Sequence, residues 1–177
     1  MYHVLLSSYK KISCVALLAA IQLVSPPVAF SAAEELQPEQ ISNAIEQAKK
    51  WLIRQQSPNG TWKSAMRTDE TVVGATALVV LALANAGVDA DKPAMKKALT
   101  WLREQTPTDT YSVSLQTQAL AMVSPKQDLA ILERNTRWLE DRQSSGPGVT
   151  GGWSYGVNRS GADNSNSQFA ILGLHEA

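Results

Sequence analysis

One phrase recurs three times along the chain: Trp51-Leu52-Ile53-Arg54-Gln55-Gln56, Trp101-Leu102-Arg103-Glu104-Gln105 and Trp138-Leu139-Glu140-Asp141-Arg142-Gln143. A Trp-Leu pair followed one turn later by Gln, met three times, is an internal repeat. A repeat constrains the fold more than any local propensity, because each unit must bury its apolar face on its neighbours. The spacings, 50 residues from Trp51 to Trp101 and 37 from Trp101 to Trp138, are too uneven for a short solenoid. They suit helix pairs joined by loops of different length.

The segments between the phrases agree. A first helix is expected from about Ser42 to Gln56, with Ile41, Ile45, Ala48 and Leu52 on one face. Ser57-Pro58-Asn59-Gly60 ends it. A second, from about Thr71 to Ala86, is Ala, Val and Leu all round, so burial on most sides is expected. A third covers Lys92 to Gln105 with Pro93 in its first turn, where a missing N–H costs little. A fourth covers Ser112 to Met122, a fifth Gln127 to Gln143, and a sixth starts near Asn164. Charged outer helices thus alternate with small, apolar inner helices. The expected fold class is all-α, with about three outer/inner pairs.

Residues 1–33 read as an export signal. Lys10 and Lys11 precede the apolar run Val15–Val24, Pro26-Pro27 break it, and Ser31-Ala32-Ala33 offer small residues for cleavage. The run is shorter than the roughly 20 residues of a membrane span. The expected domain is then 34–177, exported to the periplasm or the extracellular space. It carries 14 basic and 16 acidic residues, a net charge of −2, with no basic stripe, which argues against nucleic acid. The only cysteine, Cys14, falls in the signal, and His175 is the only histidine after it.

The first repeat continues through Gly60-Thr61-Trp62 and the third, after a longer loop, through Gly151-Gly152-Trp153. This resembles the QW motif of squalene–hopene and oxidosqualene cyclases. Gln56 with Trp62, and Gln143 with Trp153, are the matching pairs, while Trp51, Trp101 and Trp138 open the phrases. The second repeat is degenerate: Gln105 comes one position early and Tyr111 stands where a Trp is expected. The resemblance implies the α/α toroid of the terpene cyclase and prenyltransferase superfamily, incomplete here and covering about Ile41 to Ala177. In that reading the motif is a structural clamp. An indole lies against a Gln amide, which reaches backbone groups left unpaired at helix ends.

The same resemblance sets expectations for chemistry. Hopene-type cyclases protonate an alkene with Asp-x-Asp-Asp at the start of an inner helix, which needs a carboxyl held protonated in an apolar cavity. Asp69-Glu70-Thr71 and Asp163-Asn164-Ser165-Asn166 stand at comparable places, in matching register. Neither is competent, since Met66 and Ser165/Asn166 replace acids. Helix capping explains both. The zinc of prenyltransferases needs a Cys that the domain lacks, and the thioester of complement-like relatives needs Cys-Gly-Glu-Gln, which does not occur. No metal or other cofactor is expected. Trp153, Tyr155 and Tyr111 are candidate cavity-lining rings for a cationic group, with Trp153 better explained as a clamp.

These readings lead to an exported toroid that binds or scaffolds without catalytic acids of its own. The enzyme alternatives are a triterpene cyclase whose acids lie beyond Ala177, and a toroid acting on polysaccharide through Asp69 or Asp163. The expected partners are an apolar small molecule, and a second copy or another protein that covers the apolar faces of half a ring.

Overall fold

A computed structural model describes residues 37–63, 69–146, 149–155 and 161–177. The signal expected at 1–33 lies outside the described residues. Six helices follow in order: α1 (Pro38–Arg54), α2 (Asp69–Asn85), α3 (Pro93–Arg103), α4 (Thr110–Val123), α5 (Leu129–Arg142) and α6 (Asn164–Glu176). A two-residue antiparallel ladder, β1 (Ser145–Gly146) with β2 (Val149–Thr150), closes the loop after α5. Helices α2, α4 and α6 lie side by side, α3 covers α2, and α5 covers α4. The architecture is the all-α, outer/inner alternation of an α/α toroid.

The outer helices form for the reasons their sequences supply. Helix α3 opens on Pro93 and buries Ala94, Met95, Ala98, Leu99 and Leu102, a single stripe at helical spacing. Helix α5 buries Leu132, Asn135 and Leu139 at i, i+3 and i+7. Helix α1 departs from expectation. It starts at Pro38 and buries no residue along its length. Its stripe residues Ile41 and Ile45 are 47% and 45% exposed, and only Leu52 packs partly on the core. The stripe is amphipathic, but no described element lies against most of it.

The inner helices also correct the sequence reading. Helix α2 buries Val73, Thr76, Ala77, Val80 and Leu83 yet leaves Leu78 53% exposed, so one side of it is open. Helix α4, expected to be apolar, buries Thr110, Ser112, Ser114, Gln116 and Thr117. Two of those hydroxyls are satisfied within the helix, Ser114 Oγ on Thr110 O (2.6 Å) and Thr117 Oγ1 on Val113 O (2.7 Å). Small side chains let the inner helices approach closely. A Cβ on Gly173 of α6 would lie 3.1 Å from the Ser114 Cα of α4. A row of Leu in α4 would hold its neighbours apart.

The repeated phrase acts on the C-terminal ends of the outer helices, where carbonyls lack intrahelical partners. In the first repeat Trp62 Nε1 donates to Leu52 O (2.7 Å), and Gln56 Nε2 donates to Gly60 O (3.0 Å). In the third, Trp153 Nε1 donates to Leu139 O (2.7 Å), and Gln143 Nε2 donates to Gly151 O (3.2 Å). Gly60 and Gly151 both sit at φ +91°, a left-handed conformation that favours glycine. The equivalence reaches the inner helices: Trp62 N–H donates to Thr76 Oγ1 and Trp153 N–H to Ser167 Oγ, each 14 residues on. The indole N–H therefore caps the helix, while the Gln amide holds the glycine turn. Gln56 also reaches Ala94 O (2.8 Å) and so ties the end of α1 to the start of α3.

The second repeat solves the same problem with other residues. Gln116, fully buried inside α4, donates to Leu102 O (2.7 Å) and Gln105 O (3.2 Å). Its Oε1 accepts from Asn135 Nδ2 (2.9 Å) and Arg134 Nη2 (3.1 Å), which draws α5 into the same network. Gln105 turns back to Trp101 O (3.0 Å). Tyr111 does not replace the missing Trp; its ring packs elsewhere, against Phe169. Alongside, Arg103 forks onto Asp128 (Nε–Oδ1 2.7 Å, Nη2–Oδ2 3.0 Å) and links α3 to the turn before α5. Burial pushes the Asp128 carboxyl up, but the hydrogen bonds from Arg103 and Ser124 outweigh it and hold it below its ordinary value.

The two tryptophans of the first and third phrases thus do different work, and substitution separates them. Trp153→Phe leaves Leu139 O enclosed without a donor and is expected to cost about 1–3 kcal/mol in a urea-unfolding measurement. Trp51, 55% exposed, makes no such bond. Trp51→Phe is expected to change stability by less than about 0.5 kcal/mol in the same assay.

Candidate functional site

The helix N-termini of α4 and α6 meet at one place, and a short strip of chain between them sets the geometry. Asp109 caps α4, with its Oδ1 accepting from Ser112 N–H (2.9 Å). Asp163 caps α6: its Oδ1 accepts from Asn166 N–H (2.9 Å), from Asn166 Nδ2 (3.0 Å) and from Ser165 Oγ. Residues Trp153 and Ser154 bridge the two ends. Trp153 O accepts from Asp163 N–H (2.8 Å), and Ser154 O accepts from Thr110 Oγ1 (2.6 Å).

Three rings gather beside this strip. Tyr111 of α4 lies with its centroid 4.6 Å from Phe169 of α6 and 6.2 Å from Tyr155. Tyr155 is 63% exposed, so the cluster opens to solvent. Of the three rings expected to line a cavity, Tyr111 and Tyr155 do come together. Trp153 is buried and engaged on Leu139 O, and Phe169 stands in the cluster instead. Two buried oxygens in this region have no hydrogen-bond partner among the described residues: Asp109 Oδ2 and Asn166 Oδ1.

The candidate acids fall as follows. Asp69 and Glu70 open α2, and their side chains lie outside the described residues. Asp163 is a helix cap. The Ser165 hydroxyl first, and then the Asn166 N–H and amide, hold its carboxyl below the ordinary range. In this structure the Asp163 carboxylate is engaged as a cap by the Asn166 N–H and the Ser165 hydroxyl. The two acids are also not repeat equivalents: the shared Trp-to-hydroxyl register sets Asp163 against Val72, three residues beyond Asp69. Ser165 and Asn166 serve the cap. Among the described residues no group of three His, Cys, Asp or Glu side chains could hold a metal ion. Trp101 packs partly on the core, and Trp138 lies under the Arg142 guanidinium, 5.5 Å from its ring centre.

Gln116, Asp109 and Phe169 were not singled out in the sequence. Asp109-Thr110 had a readable signal, an Asp cap ahead of an inner helix. Gln116 and Phe169 had none, because each acts across helices rather than along one.

The A-macroglobulin TED domain family model matches residues 21–149. No curated protein matches the chain. The match begins inside the segment read as a signal and ends before α6. It overturns the terpene cyclase and prenyltransferase assignment drawn from the Gln–Trp phrases, since the matching family is a different α/α-toroid family. The reason is physical. The phrase caps helix C-termini, a need common to any ring of helix pairs, and so it reports the fold and not the reaction. Among the described residues no helix is long and apolar enough to cross a membrane.

The state of Asp163 can be read directly. Its folded carboxyl titrates below the ordinary 3.8, so the stability it contributes is complete above that pH and is lost as pH falls through the folded value. Asp163→Asn keeps a capping oxygen but removes the charge. Urea midpoints of the wild type and this variant are expected to differ at pH 7, the wild type higher, and to converge near about pH 2. A gap that persists unchanged at the lower pH contradicts an ionised cap.

Proposed function

Because the chain belongs to the A-macroglobulin TED domain family, we propose that it is an exported toroid scaffold that works by surface binding, without chemistry of its own. Three observations support this reading. The acid at the α6 terminus is spent as an ionised cap. Within these 177 residues Cys-Gly-Glu-Gln does not occur, and Cys14 is the only cysteine. The carrying observation is the apolar stripe of α1, whose Ile41 and Ile45 are 47% and 45% exposed. Contiguous apolar surface of this kind belongs to interfaces.

The occupant proposed is a second copy of the chain. Its far edge offers an apolar complement: Leu129, 56% exposed, lines a groove between α5 and α6 together with Leu174, Glu140 and the Glu133–Arg137 ion pair, and Ile171 on α6 is 58% exposed. Helix α1 carries Lys49, Lys50 and Arg54 near its C-terminal end. Apolar surface thus meets apolar surface in a head-to-tail contact that repeats the outer-helix packing within the chain, with Lys50 and Arg54 of α1 facing Glu140. Sedimentation velocity from about 1 to 100 μM is expected to show concentration-dependent dimers. The Ile41→Glu/Ile45→Glu double variant is expected to stay monomeric with an unchanged helical circular dichroism signal. A wild type that stays monomeric over that range removes the second copy as occupant.

Export rests on the sequence of residues 1–33. The intact mass of the protein recovered outside the cytoplasm is expected to correspond to a chain starting between Ser31 and Glu34. A mass that retains Met1 rejects the cleaved signal.

A further inference from the structure

We infer that the cavity beside Trp138, and its repeat equivalent beside Trp101, bind a polyproline II peptide carrying an acidic residue and, three positions away, a basic one. Each cavity joins a cation, a tryptophan and an acid on one face of an outer helix, against the loop of the preceding repeat.

The argument starts from the tryptophans that the clamps leave over. Trp62 and Trp153 cap helices, whereas the tryptophans that open the phrases do not. Trp138 of α5 lines a cavity of about 390 Å³ with Pro107, Arg134 and Asp141. Trp101 of α3 lines one of about 470 Å³ with Pro58, Lys97 and Glu104. The arrangement is the same in both. The cation stands four residues before the tryptophan and the acid three after, which puts all three on one helix face. Both prolines stand two residues after the glutamine of their phrase, Gln56 or Gln105. Each cavity therefore forms where the loop of one repeat meets the outer helix of the next.

The charges select the chemistry of the ligand. Arg134 is half-buried, and its hydrogen bonds all go to neutral acceptors, among them Thr106 Oγ1 (3.2 Å) and Gln116 Oε1 (3.1 Å). Among the described residues no carboxylate pairs with it. A cation drawn from water without a counter-ion favours an incoming anion. The same cavity holds exposed Asp141, and its other two charges, Glu133 and Arg137, already pair (3.5 Å). One cation and one acid thus remain, and a polyanion would meet repulsion from Asp141. In the α3 cavity exposed Lys96 adds a second cation, and Glu104 again provides the acid.

The spacing selects its conformation. Seven helical residues separate cation from acid, about 10.5 Å along the axis. A polyproline II chain has three residues per turn at roughly 3.1 Å each, so side chains at i and i+3 share a face about 9 Å apart. Same-face side chains of a β-strand fall about 7 or 14 Å apart and fit worse. Prolines between the two charges would lie against the half-buried indole and, in the α3 cavity, against exposed Pro58. Such a peptide is already ordered, so docking it costs little entropy. Nothing in this site requires that copies of the chain associate.

The test titrates the protein with acetyl-Glu-Pro-Pro-Lys-amide and its reverse, acetyl-Lys-Pro-Pro-Glu-amide, following the five indole N–H resonances by NMR. The controls are the neutral acetyl-Gln-Pro-Pro-Gln-amide and acetyl-Pro-Glu-Lys-Pro-amide, in which the charges are adjacent. At least one of the first two peptides is expected to shift Trp138 and Trp101 saturably with a millimolar midpoint, and the controls to bind about threefold or more weakly. Trp51, which stands between Gln47 and Arg54 and lacks the charge pattern, is expected to stay unshifted. Asp141→Asn, at an exposed position, is expected to weaken binding at Trp138 about threefold to tenfold and to leave Trp101 unchanged. Equal response to either control overturns the proposal, as does a Trp51 shift matching that of Trp138. The absence of saturable shifts up to about 50 mM, or unchanged binding at Trp138 in Asp141→Asn, overturns it as well.

Discussion

The carbonyl of the leucine in each Trp-Leu pair is the point on which the structure turns. It lies in the last turn of an outer helix, where the regular bond four residues on is lost; only a tighter bond three residues on follows, from Gln55 N–H to Leu52 O (3.0 Å) and from Gln105 N–H to Leu102 O (3.1 Å), and the leucine side chain beside it packs on the core. Leu102 and Leu139 are fully buried, so water cannot serve their carbonyls. Each of these carbonyls also accepts from a side chain farther along the chain, and the residue that supplies that donor ties its segment to the end of the outer helix. Two repeats use an indole N–H at 2.7 Å, and one uses the amide of Gln116 at the same distance. Three different local sequences thus converge on one bond.

The consequences spread from that choice. Where an indole caps the helix, the loop needs a glycine at φ +91° to bring the ring back, and the main chain of the same Trp then sets the height of the inner helix through Thr76 or Ser167. In the second repeat the loop between Gln105 and Thr110 is too short for such an excursion. The donor comes instead from within α4, and burying its amide recruits Asn135 and Arg134 to complete it. Burial lowers the Arg134 pKa from its ordinary value, the electrostatic mark of a cation drawn into that network. The buried Gln116 of α4 therefore answers for the tryptophan that the second repeat lacks, while the small hydroxyl residues around it let the neighbouring helices approach.

The family assignment changes what the Gln–Trp phrase means without changing what it does. As a cap for orphan carbonyls it serves any toroid, and a TED-family chain needs it as much as a cyclase does. Function has to be sought where the clamps do not reach. Two such places remain: the α1 stripe, which no clamp covers beyond Leu52, and the cavities beside Trp101 and Trp138, two tryptophans that cap no helix.

Much of the fold was legible in the chain itself. Periodicity, Pro93 and the loop glycines located six helices and their outer/inner alternation, because those signals act over one or two turns. The buried identity of Leu102 and Leu139 was also implicit in the repeat. What the sequence could not carry was anything that depends on contacts between turns far apart. Ile41 and Ile45 have the spacing of a buried face, and only the absence of a described neighbour leaves them in water. Tyr111 looked like a displaced Trp by its position after Gln105, but packing against Phe169, 58 residues on, gave it another place. Asp163 and Asp69 looked equivalent as acids before inner helices, and the Trp-to-hydroxyl register separated them. Local hydrogen bonds and periodicity are written in neighbouring residues, whereas burial, register between helices and the pairing of polar atoms are settled only when the helices meet.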